Sequence, residues 1–269
     1  MQNRFFVISS KLKRMGWHRL KQIRSDVCII SKYSKTLIKQ REVLISLSDI
    51  QKIMTVLRCH HALLALPEIY QPVLVPCLMH LKAKRPCNDR LALILNDMEC
   101  LPAKVNDIGC QIGFFSFSLA ERGYSVIGYD MDERNIEICC MLNKLNNLST
   151  MSTFRNIAFM PENVKFFASA DYTLCLAVFH HIIYYHGLSV AQKLISVLRN
   201  KTRKKLYFEI GQSNEPVEPW AKHLPDMGDD PFEWIANFLR SGGFKNIKVL
   251  GLVPTHVSNI HRYLVAASP

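Results

Sequence analysis

The apolar positions of this 269-residue chain change rhythm near residue 104. Before it they are irregular. Ile50, Ile53, Met54 and Leu57 share one face of a helix predicted from Asp49 to about Leu66, with Ser48 as its cap. Pro67, Pro72, Pro76 and Pro86 then punctuate the chain, and Leu91, Leu93, Ile94 and Met98 mark a short helix between Pro86 and Leu101. From Lys104 onward, short apolar runs alternate with amphipathic stretches. Strands are predicted at Lys104–Ile108, Ser125–Tyr129, Ser152–Ile157, Tyr172–Val178, Lys205–Ile210, Asn246–Leu250 and Arg262–Ala267. Helices fall at Phe114–Arg122, stopped by Gly123; at Asp132–Asn146; at Ser189–Leu198, with Ser189 as cap; and at Pro231–Ser241, between Pro231 and Gly242-Gly243.

Strands alternating with helices imply an α/β fold with a doubly wound, mostly parallel, seven-stranded sheet. About ten residues without a helical pattern join the last two strands, too few for a parallel crossover, so the last strand is expected to be antiparallel. The irregular first third reads as a separate small basic module, residues 1–87, ahead of an α/β domain at 88–269.

Charge sharpens that division. Residues 1–90 carry 17 Lys plus Arg against 5 Asp plus Glu, and the rest of the chain carries 17 of each sign. Residues 1–41 hold 11 basic residues and one acid, Asp26. Such a segment suits RNA or another polyanion, or a solvated surface; a targeting peptide is a third reading, opposed by the fold-like runs Val27-Cys28-Ile29-Ile30 and Val43-Leu44-Ile45. No run of about 18 apolar residues appears and Met1–Ser10 lacks a signal-peptide core, so neither a membrane span nor secretion is expected. Nine scattered cysteines, none in a Cys-x-x-Cys pair, read as buried thiols in a reducing, cytoplasmic compartment rather than disulfides or a metal site.

The chemistry centres on a glycine turn, Asp107-Ile108-Gly109-Cys110-Gln111-Ile112-Gly113, which closes one strand and opens a helix. Gly109 and Gly113 let the backbone turn tightly and approach a ligand, and the N–H groups at the helix start can bind polar ligand atoms. Asp130 ends the next strand, where its carboxylate can accept from both hydroxyls of a ribose; capping the following helix is its duller role, better suited to Asp132.

Val105–Gly113 resembles motif I of the class I S-adenosylmethionine (SAM)-dependent methyltransferases, Gly123–Asp130 their second motif, and Ala170-Asp171-Tyr172 through Phe179-His180-His181 their motif IV with its loop. The likeness covers roughly residues 88–269. It implies SAM as cofactor, with Asp107, Gly109, Cys110, Gln111 and Gly113 around its methionine end, Asp130 on its ribose, and Met131, Asn156 and Phe179 about its adenine and reacting end. Two positions depart from the pattern: Gln111 replaces the central glycine, and Asn106 puts an amide in a buried strand.

In the loop after the central strand, His180 and His181 are candidate bases for an acceptor that must lose a proton; packing under the cofactor is the alternative for His180. Glu209 ends the next strand and can pair with either histidine or sit on the surface. Gly211–Gly228 reads as a lid or substrate loop. The implied function is methyl transfer from SAM to an unidentified acceptor, with RNA or another anionic substrate first and a sugar or small molecule next. A nicotinamide oxidoreductase is disfavoured, because Gln111 and Phe114 stand where its second and third glycines belong. A non-catalytic nucleic-acid-binding protein on the same fold is the other alternative.

Overall fold

The computed structural model describes residues 47–99, 101–215, 218–255 and 259–269. Residues 1–41, with the runs at 27–30 and 43–45, lie outside the described residues. Their expected polyanion binding remains an expectation.

Helix α1 (Leu47–Leu64) and helix α2 (Asn88–Asp97) precede the alternating domain. Then follow β1 (Lys104–Ile108), α3 (Phe114–Ala120), β2 (Ser125–Asp130), α4 (Glu133–Leu145), β3 (Ser152–Asn156), β4 (Ala170–Leu176), α5 (Phe179–His186), α6 (Leu188–Lys201), β5 (Thr202–Glu209), α7 (Pro231–Ser241), β6 (Asn246–Pro254) and β7 (His261–Ser268). The seven strands form one sheet in the order β3-β2-β1-β4-β5-β7-β6. Neighbours from β3 to β5 pair parallel, and β7 runs antiparallel to both β5 and β6. The expected doubly wound sheet with an antiparallel last strand is therefore observed.

Alternation along the strands decides which helices cover which face. Tyr207 and Leu264 pack with Leu91, Ile94 and Phe115 of α2 and α3. Their neighbours Phe208 and Val265 pack with Leu194, Ile195, Phe238 and Leu239 of α6 and α7. Chain order reverses between β1 and β4, so the crevice for a ligand opens at the carboxyl ends of these two strands.

Residues 47–87 do not stand apart from this body. Val56, Cys59 and Leu63 of α1, with Val73, Val75 and Leu78, share a core with Ile138 and Leu142 of α4. Cys59, Cys87, Cys110, Cys139 and Cys175 are buried as expected, whereas Cys140 is exposed. Asp132 caps α4 by accepting from the Arg134 N–H at 2.9 Å, a contact of about 1 kcal/mol. The expected cap at Ser189 is not observed: α6 begins one residue earlier, with Gly187 at its N-cap. The strand expected to run to Val178 ends at Leu176, where Ala177 takes a left-handed φ of 58°.

Candidate functional site

At the carboxyl edge of β1 and β4 lies a cleft of about 860 Å³. The glycine turn forms one wall. Gly109 and Gly113 have φ of 73° and 87°, and Gln111 holds a left-handed φ of 52° despite its side chain. The turn is tied to β2: the N–H groups of Gly109 and Cys110 donate to the Tyr129 carbonyl, at 2.8 and 3.0 Å. A Cβ at Gly109 would meet Val178 Cγ2 at 2.5 Å, so the turn and the chain after β4 fit only with glycine there. The Gln111 side chain accepts from the Ile112 N–H at 3.0 Å, a local anchor for the substituted turn.

Two carboxylates face this wall. Asp130 Oδ2 accepts from the Gln111 N–H and Oδ1 from the Asp132 N–H, each at 2.9 Å, with Asn135 Nδ2 at 3.3 Å. A carboxylate offers about four acceptor positions, so capacity remains for a ligand hydroxyl. Asp107 is buried and accepts from Ser116 Oγ at 2.7 Å; burial pushes its carboxyl up to about 6. The Asn106 amide donates to the Ala168 carbonyl at 2.7 Å, which satisfies the polar group in the buried strand.

Several assignments are corrected. Phe179-His180-His181 is not a loop but the first turn of α5. Phe179 points into the core against Phe159, Phe208 and Phe238, away from the cleft. Cys110 and Gly113 belong to the turn but do not line the cleft; the Cys110 thiol lies beneath it, beside Gly128. Asn156 donates from its amide to the Asp130 and Met131 carbonyls at 3.1 and 3.0 Å, so it holds the β2 end while Ile157 and Ala158 line the cleft. Asp107, Gly109, Gln111, Asp130, Met131, His180 and His181 line it as expected.

Glu209 is neither an acid–base partner of the histidines nor a surface group. It is fully buried among Arg85 at 2.8 Å, Arg90 at 3.3 Å and Arg262 at 3.4 Å. These guanidinium groups outweigh the effect of burial and hold its carboxyl down at about 2. Arg262 also makes a two-pronged pair with Glu215, at 2.7 and 2.8 Å. Three arginines and two glutamates thus form a buried network under one end of the cleft.

The two histidines differ. Buried His180 accepts at Nδ1 from the Gly211 N–H at 3.1 Å, and its ring lies 4.3 Å from that of Trp220. Burial, His181 and Arg262 all disfavour its charged form. His181 is more exposed; desolvation against the cleft wall and the Arg262 charge lower its pKa from the ordinary 6.5. Both rings line the cleft, 4.1 Å apart. Sequence reasoning missed Tyr70, Gln71, Lys84, Arg90 and Arg262, which also line the cleft. Gln71 accepts from the Phe114 N–H at 3.1 Å and so caps the helix that follows the glycine turn.

Comparison with known proteins decides the family. Residues 106–204 match the family model described as a methyltransferase domain. Over 211 residues, 75% of the chain, it is 33% identical to the O-antigen chain terminator bifunctional methyltransferase/kinase WbdD of Escherichia coli. A crystal structure of WbdD superimposes with a TM-score of 0.67 at 31% identity, covering 78% of this chain and 47% of that one. The chain belongs to the class I SAM-dependent methyltransferases. A shorter stretch of 79 residues, 29% of the chain and 33% of the relative, is 32% identical to the ubiquinone biosynthesis O-methyltransferase of Leptothrix cholodnii. The chain spans only about 28% of the length of the curated WbdD relatives it matches.

The residues present fit SAM. Arg90 lines the cleft with one carboxylate contact at 3.3 Å and a thiol contact at 3.0 Å to Cys87, and its buried Nε has no partner among the described residues. Such an under-used cation suits the amino-acid carboxylate of the cofactor. Asp130 offers acceptors for the ribose, and exposed Met131 an apolar surface for the adenine. Bound SAM supplies an electrophilic methyl group on a sulfonium.

Proposed function

We propose that this methyltransferase acts on a hydroxyl oxygen of a sugar or other small molecule. The observation that carries the reading is His181, which lines the cofactor cleft at the carboxyl edge of β4 with its pKa lowered. A histidine neutral at pH 7 is ready to take a proton from an acceptor hydroxyl as the methyl group arrives. Alignment of acceptor and methyl, and exclusion of water, supply the rest of the rate.

The cleft supports a compact acceptor. About 860 Å³ falls within the ~300–1,000 Å³ of small-molecule sites, much of it claimed by the cofactor. Its lining cations each face a carboxylate: Lys84 with Glu68, Arg90 with Glu209, and Arg262 with Glu215. Among the described residues, that lining offers no run of unpaired cations for an RNA backbone. The Asn/Asp-Pro-Pro-Tyr loop of amino-methylating families is absent, and the name of one curated relative, a ubiquinone biosynthesis O-methyltransferase, agrees with an oxygen acceptor.

The test is incubation with methyl-labelled SAM and a panel of glycosides, aliphatic alcohols, phenols, amines and short RNA. Label in methyl ethers is expected. Label on nitrogen or in RNA, or failure to bind SAM in a calorimetric titration, would overturn the reading.

A further inference from the structure

We infer that the acceptor is a vicinal diol: His181 takes the proton from the oxygen that is methylated, and His180 donates from Nε2 to the oxygen on the neighbouring carbon. The inference rests on the reading that a hydroxyl oxygen is methylated.

The argument starts from the inequality of the two rings. The Gly211 N–H points at His180 Nδ1 across 3.1 Å in a buried bond, so Nδ1 is an acceptor and the ring proton sits on Nε2. Trp220 at 4.3 Å and His181 at 4.1 Å flank the ring and fix its orientation. Burial and the nearby Arg262 and Arg85 oppose a second proton. His180 is therefore a neutral hydrogen-bond donor, unable to act as a base without breaking its bond to Gly211. Its Nε2 has no hydrogen-bond partner among the described residues, and the ring lines the cleft.

His181 carries no such lock among the described residues, so it can present a lone pair. A fixed donor and an available acceptor thus stand side by side on one turn of α5. Rings this close address atoms that are themselves close, as two oxygens on adjacent ring carbons of a sugar are. An acceptor with a single hydroxyl would occupy His181 and leave the His180 N–H desolvated and unpaired, which a site built to hydrogen-bond penalises.

The test compares methyl pyranosides carrying vicinal diols, and cyclohexane-1,2-diols, with the corresponding monodeoxy glycosides and cyclohexanol. Turnover is read as S-adenosylhomocysteine formed per enzyme by mass spectrometry. Diols should exceed mono-ols in kcat/KM by about 10-fold, the worth of one well-placed hydrogen bond. His180→Phe should bring that ratio near one. His180→Gln, whose amide can accept from Gly211 and still donate, should preserve it. A parent ratio near one, a ratio that survives His180→Phe, or turnover of no diol would overturn the inference. Failure to bind SAM, or label on nitrogen, would instead overturn the reading beneath it.

Discussion

The Arg85 guanidinium stands 2.8 Å from the Glu209 carboxylate, with both side chains buried and the two residues 124 positions apart in sequence. The contact fastens the segment ahead of the α/β domain to the end of β5. Glu209 also faces Arg90 and Arg262, and among the described residues Glu215 is the only other carboxylate in the network. Glu209→Gln would leave three buried guanidinium groups facing one charge. Unpaired buried charge of this kind costs ~3–5 kcal/mol. A urea titration should show a large drop in midpoint, and an unchanged midpoint would refute the role given to this network.

Asp107 makes stability depend on pH in a direction that can be worked out. Its carboxyl rises from 3.8 to about 6 on folding, so the native state binds a proton that the unfolded chain has released. Its favourable contribution is complete below 3.8 and is lost as pH rises through about 6. His180 and His181 pull the other way, since their lowered pKa values make acidification below 6.5 unfavourable. The quantity to read is therefore the difference between the parent and Asp107→Asn. Without SAM, thermal melts from pH 7 to pH 4 should show the parent gaining on the variant below about pH 6, by at most ~3 kcal/mol. Parallel curves would rule this out.

The sheet was largely legible because period and punctuation are local: Pro231–Ser241 matched to the residue, and most other elements differed only at their ends. The glycine turn was legible through Gly109 and Gly113, and Gln111 holds the left-handed backbone that the missing glycine would have supplied. What escaped was non-local. Buried arginines look like surface arginines in a sequence, so Arg85, Arg90 and Arg262 gave no sign that they converge on Glu209. That convergence turned Glu209 from a catalytic candidate into the centre of an ion network. Phe179 was misplaced because about a quarter-turn in a helix exchanges cleft for core, and Asn156 because its exposed amide is spent on the Asp130 and Met131 carbonyls, which spacing along the chain does not reveal.

Asp130 should be the most sensitive single position for the cofactor. It holds the Gln111 N–H at 2.9 Å and is the carboxylate available to the ribose. Asp130→Ala removes both, and hydrogen bonds to charged groups are worth about 1.5–3 kcal/mol, so SAM affinity should fall by roughly 10- to 100-fold. Isothermal titration gives the value directly. Parental affinity in the variant would remove Asp130 from the cofactor site.

His181 should control the rate and its response to pH. Its lowered pKa leaves it neutral at pH 7, and protonation removes the lone pair that accepts the proton from the acceptor hydroxyl. The kcat/KM profile for a hydroxyl acceptor should therefore be flat near neutrality and fall on an acid limb below pH 6.5. His181→Ala should abolish that limb and lower kcat by ~10²–10⁴-fold, the usual contribution of a positioned general base. SAM affinity should stay near the parent value, since Gly109, Asp130 and Arg90 are untouched. His181→Lys and His181→Gln separate chemistry from packing: neither restores a base with a pKa near neutrality, so neither should restore the limb. A variant that kept both the limb and the parental rate would show that the proton leaves by another route.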